Sequence, residues 1–102
     1  MSQGVIARRY AKALISLAEK GKELEKTGKH FSELAEVYKD STELREILSD
    51  TKVSTEHKQS ILQGILSKIK APALVDTFSR YLLAKRRIVL LPSIERAFNL
   101  LL

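Results

Sequence analysis

The sequence predicts an all-α fold, a six-helix bundle, and three observations carry that expectation. Its apolar residues are mostly Leu, Ile and Ala, with only five Val, three Phe, three Tyr and no Trp, a choice that favours helices over strands. Two prolines and four glycines give too little punctuation for a many-turned β fold. Apolar residues recur every three or four positions along most of the chain, the spacing of one helix face. At 102 residues the chain suits a single domain with one core.

The first helix is expected from Val5 to Lys20. Steps of about 100° per residue gather Arg8, Arg9, Lys12, Ser16, Glu19 and Lys20 into one polar arc, leaving an apolar arc of about 200° where a surface helix needs little more than about 100°. One side of that arc holds Ile6, Tyr10, Ala13 and Leu17; the other holds Ala7, Ala11, Ile15 and Ala18, with Leu14 between. Such a helix needs two neighbours. Gly21 suits its C-terminal cap.

A second helix is expected from about Lys22 to Lys39, with Leu24, Phe31, Leu34, Ala35 and Tyr38 on one face, Thr27 filling one place on it, and Gly28 a weak point of about 1 kcal/mol. Asp40 with Glu43 resembles a capping box, and Leu44, Ile47 and Leu48 give a short third helix. Ser49 to Val53 reads as a loop. Ser54 suits the N-cap of a fourth helix whose stripe is Ile61, Leu62, Ile65, Leu66 and Ile69. That helix should end by Ala71, because the residue before a proline is driven out of the helical region. Pro72 suits the first position of a fifth helix bearing Leu74, Val75, Phe78, Tyr81, Leu82 and Leu83. After Lys85-Arg86-Arg87 and a short turn, Pro92 falls in the first turn of a sixth helix carrying Ile94, Ala97, Phe98 and Leu101. Leu100-Leu101-Leu102 at the end, with no polar cap, reads as one domain of a longer subunit.

Catalytic and metal chemistry find no support. The chain has no cysteine, so there is neither a disulfide nor a thiolate metal site, which fits a reducing, intracellular setting. His30 and His57 stand 27 positions apart without patterned carboxylates and read as surface residues. The glycines form no phosphate-binding loop, and no serine has a glycine-flanked elbow. No apolar run approaches the ~18 residues that span a bilayer, and Met1 to Gly4 lacks the charged start and apolar block of a secretory signal. The expectation is therefore no enzyme, no metal and no cofactor.

The formal charge of +6 and pI near 9.7 raise a rival reading, a basic helical nucleic-acid-binding module. Residues 1–53 carry ten basic and nine acidic side chains, and residues 54–102 carry eight and three. Arg80, Lys85, Arg86, Arg87 and Arg96 could meet phosphates. Yet no aromatic residues interleave them and no helix-turn-helix spacing is present, and a basic triplet at a helix end is also simple support for the last carbonyls.

Ala7-Arg8-Arg9-Tyr10-Ala11-Lys12-Ala13-Leu14 resembles the N-terminal signature of the delta subunit of F-type ATP synthases, the oligomycin-sensitivity-conferring protein of mitochondria. Further along, Leu44 and Leu48, then Lys58 with Ile61-Leu62, then Phe78, Leu82, Leu83, Arg87, Leu91 and Phe98 match that family in order. Two positions depart from it: Lys85 stands where the family often has asparagine, and Thr51 where it often has proline. The resemblance implies that residues 1–102 are the N-terminal helical domain of a longer subunit whose C-terminal, stalk-binding domain lies outside this chain.

The implied role is a non-catalytic stator part. The helical domain would bind the amphipathic N-terminal helix of an alpha subunit, and the second domain would engage the peripheral stalk b subunits. The implied location is the cytoplasmic face of a bacterial inner membrane, peripheral and held only through the complex; the lack of a transit-like presequence favours a bacterium over a plastid. The family's groove lies between the first and fifth helices, which maps here to Ile6, Tyr10, Ala13 and Leu17 facing Leu74, Phe78 and Tyr81. Residue chemistry agrees: Ala13 admits a close helix, and Tyr10 and Tyr81 can bury a ring while leaving the hydroxyl wet. Ordinary core packing is the competing reading for each of these residues.

Overall fold

The computed structural model describes residues 2–102. Six α-helices follow in order: α1 Gln3–Lys20, α2 Leu24–Asp40, α3 Thr42–Ser49, α4 Thr55–Lys68, α5 Ala73–Ala84 and α6 Leu91–Leu101, with a 3₁₀ turn at Ile88–Leu90 before the last. The six-helix, all-α expectation holds, and no strand occurs among the described residues.

Helix starts follow side-chain chemistry. Ser2 caps α1 by accepting from the Val5 N–H at 3.3 Å, which starts that helix two residues before the predicted Val5. Ser54 caps α4 through the His57 N–H at 3.1 Å, as the sequence predicts. The third helix begins differently. Ser41, not Asp40, is its cap, accepting from the Leu44 N–H at 3.1 Å, while Asp40 is the last residue of α2. Arg45 fixes this joint: its Nη1 donates to the carbonyls of Tyr38 and Lys39, and its Nη2 to Thr42 Oγ1. Pro72, expected inside α5, is the residue before it, extended at ψ 160°.

Helix ends depart further from expectation. Gly21 does cap α1, but in the right-handed conformation; the left-handed position falls on Lys22, at φ 57°. The Glu23 N–H bonds the Ala18 carbonyl and the Lys22 N–H bonds that of Glu19, a Schellman closure. The same pair of bonds ends α4, with Lys70 left-handed, and α5, with Arg86 left-handed. A basic residue thus occupies each position where glycine is usual.

α6 packs most extensively on α1 and next on α2, α2 also touches α1, α3 and α5, and α4 pairs with α5. Phe31 pairs with Phe78 and Phe98 at ring-centroid distances of 5.7 and 6.5 Å, in one buried core with Leu14, Leu34, Leu62, Leu66, Leu82, Leu91 and Ile94. Tyr38 is buried at the edge of this core, and that burial raises its phenol above the usual range against the lowering pull of Arg45. Gly28 is more than a weak point. A Cβ there would meet Phe98 Cε1 at 3.0 Å, so the missing side chain is what lets α2 and the Phe98 ring come together.

Candidate functional site

The two apolar sides of α1 have different fates. Ala7, Ala11, Leu14 and Ala18 are buried, with three alanines where α1 comes close to α6. Ile6 and Tyr10 are half-buried, Ala13 is exposed, and Leu17 retains 49% of its surface. The bundle therefore buries one side of the 200° arc and covers the other only in part, leaving Ala13 and Leu17 the most open.

α5 supplies the neighbouring wall. Tyr10 meets Phe78 edge-on at 6.1 Å and Tyr81 at 6.4 Å between ring centroids. Phe78 is buried beneath, touching Phe31 on its far side, so it is floor; Tyr81 is 48% exposed and forms the rim. Leu74, one turn before Phe78, is half-buried and packs on the core. A concavity of about 390 Å³ opens among Ile6, Arg9, Tyr10, Ala13 and Arg87. Of the seven residues expected in the groove, Leu17, Leu74, Phe78 and Tyr81 do not line it.

Arg9 and Arg87 are the residues that sequence reasoning did not assign here. Arg87 Nη1 donates to the Tyr10 hydroxyl at 2.8 Å, and its guanidinium carbon lies 5.7 Å from the Tyr10 ring centroid. Lys85 stands equally far, 5.7 Å, from the Tyr81 ring centroid. No local signal shows this. Arg87 and Tyr10 are 77 positions apart, and only the turn after α5 carries the arginine back to α1.

The site has the means to bind. An apolar strip one helix long, walled by two tyrosines and edged by cations, offers burial, ring contacts and charge. Among the described residues no group of three His, Cys, Asp or Glu is placed to hold a metal. His57 is exposed, whereas His30, also expected at the surface, is largely covered, with Nδ1 2.8 Å from Glu33 Oε1. No helix among these residues is long and apolar enough to cross a membrane.

Comparison with known proteins agrees with the signature on α1. The family model described as ATP synthase delta (OSCP) subunit matches residues 6–102. ATP synthase subunit delta of Beijerinckia indica is 30% identical over 94 residues, covering 92% of this chain and 50% of the relative. The same subunit of Maridesulfovibrio salexigens is 33% identical over 96 residues, 92% of this chain and 52% of the relative. That of Symbiobacterium thermophilum is 33% identical over 99 residues, 97% and 53%. The chain thus spans about half the length of these relatives. With one family matched from the first helix to the last residue, the chain belongs to the ATP synthase delta (OSCP) subunit family.

Proposed function

We propose that this chain is the head-binding part of a non-catalytic stator subunit in a proton-translocating F-type ATP synthase. The strip on α1 and the facing wall of α5 receive the amphipathic N-terminal helix of an alpha subunit. The remaining half of the relatives' length engages the peripheral stalk b subunit, so that the catalytic head is held against the rotor. The assembly lies on the cytoplasmic face of a bacterial inner membrane, and this chain reaches the membrane only through its partners.

One observation carries the reading: α1 buries Ala7, Ala11, Leu14 and Ala18 in its own bundle and leaves Ile6, Tyr10, Ala13 and Leu17 beside the exposed Tyr81. A helix-in-groove contact uses a strip of this kind, with anchors at i, i+4, i+7 and i+11. Ala13 is the narrow point of the strip, where a guest backbone can come close.

Calorimetry with a synthetic peptide of the cognate alpha N-terminal helix tests it. The wild-type chain binds the peptide, and Ala13→Asp, which places a charge on an exposed position without touching the core, loses that binding while keeping its helical circular dichroism. Equal binding by a folded Ala13→Asp chain contradicts the groove.

A further inference from the structure

The groove is edged by charge of one sign, and that charge says what kind of helix it takes. α1 and α5 with the turn after it, residues 3–20 and 73–90, carry eight basic and two acidic side chains, whereas the rest of the chain carries ten basic and ten acidic. The whole positive excess therefore sits in the two segments that bear the groove. Three of the eight border the exposed strip: Arg9 and Arg87 at the concavity, and Lys85 beside the Tyr81 ring.

None of these three has an acidic partner within the described chain. Its ion pairs lie elsewhere, at Lys26–Glu23, His30–Glu33, Lys39 with Glu36 and Glu95, and Arg80–Asp76. Arg87 is held in place by a neutral hydroxyl and a ring face, contacts that orient a guanidinium without neutralising it. A guanidinium fixed in this way and still rich in N–H donors is arranged for a carboxylate.

We infer that the groove selects an amphipathic helix with an acidic edge, carboxylates flanking its apolar stripe so that two of them meet Arg9 and Arg87. The inference rests on the groove reading above. Nucleic acid would also be drawn to these cations, but Ile6 and Ala13, which line the concavity with Arg9 and Arg87, offer phosphates nothing, while they match the apolar stripe of a helix.

Fluorescence anisotropy on the 102-residue chain tests it with three designed helices of about 18 residues, a length of five turns. All share one Leu/Ile stripe and differ only in flanking residues, which are Glu, Gln or Lys. At about 50 mM salt the Glu helix binds on the order of tenfold tighter than the Gln helix, the Lys helix binds weakest, and the spread closes at about 500 mM. Arg87→Gln narrows the Glu-over-Gln advantage by several-fold. Ala13→Gln, a neutral obstruction, weakens all three.

Each failure points to one premise. Equal affinity for the Glu and Gln helices overturns the acidic edge and leaves the groove standing. Glu-helix binding that is unaffected by Ala13→Gln overturns the groove and moves the preference to another surface. Binding of none of the three overturns both. Displacement of the Glu helix by an equimolar single-stranded oligonucleotide overturns the inference in favour of nucleic acid.

Discussion

The two apolar strips of α1 differ in residue size and in use: three of the four buried positions are alanine, while the outer strip carries Ile6, Tyr10, Ala13 and Leu17. Ala7, Ala11, Leu14 and Ala18 are buried in the bundle, where α1 packs on α6. Ala13 is as small as those alanines but exposed, and Leu17 keeps about half of its surface open. A small residue at a buried crossing is accounted for by packing inside the bundle. The same residue on an exposed apolar strip needs a reason outside it, and that contrast is the physical basis for placing a partner on this face.

The contrast breaks most visibly under truncation. Leu14→Ala removes a fully buried side chain and is expected to cost about 2–5 kcal/mol in denaturant unfolding. Leu17→Ala, three residues on, should leave stability within about 0.5 kcal/mol while weakening the guest helix. A large stability loss at Leu17 would mean that the outer strip is part of the core after all.

The glycines sharpen the same logic at a smaller scale. Gly64 in α4 has nothing within 4 Å of where a Cβ would stand, so Gly64→Ala should stabilise by about 0.5–1 kcal/mol through helix propensity alone. Gly28→Ala meets the buried Phe98 ring. Overpacking of about 1–3 kcal/mol there should outweigh the propensity gain of about 1 kcal/mol and leave a net loss on the order of 1 kcal/mol. Melting the two variants side by side checks the pair, and a gain at both positions would show that the α2–α6 crossing yields easily.

Much of this architecture was legible in the sequence because helices announce themselves locally. The 200° arc of α1, the Ser54 cap and the stripes of α4 to α6 are properties of residues a few positions apart. Helix ends were less legible. Left-handed closure is usually signalled by glycine, and here Lys22, Lys70 and Arg86 take those positions, so the spelling conceals the turn. The choice of Ser41 over Asp40 depends on which of two competent caps α2 consumes. At the site, the strip and the tyrosines could be read from spacing, but the cationic edge could not. Arg87 reaches Tyr10 only through the turn after α5, and Gly28 gains its meaning only when Phe98 arrives from the other end of the chain.

The central claim is that a partner helix covers the outer strip of α1, and amide chemical-shift mapping of the labelled chain during titration with the alpha N-terminal peptide tests it most directly. The account predicts that the perturbed amides cluster at Ile6, Tyr10, Ala13 and Leu17 and at Tyr81 and Arg87, with those of Thr55–Lys68 in α4 left in place. Saturable shifts centred on α3 and α4, with the outer strip of α1 unmoved, would contradict it.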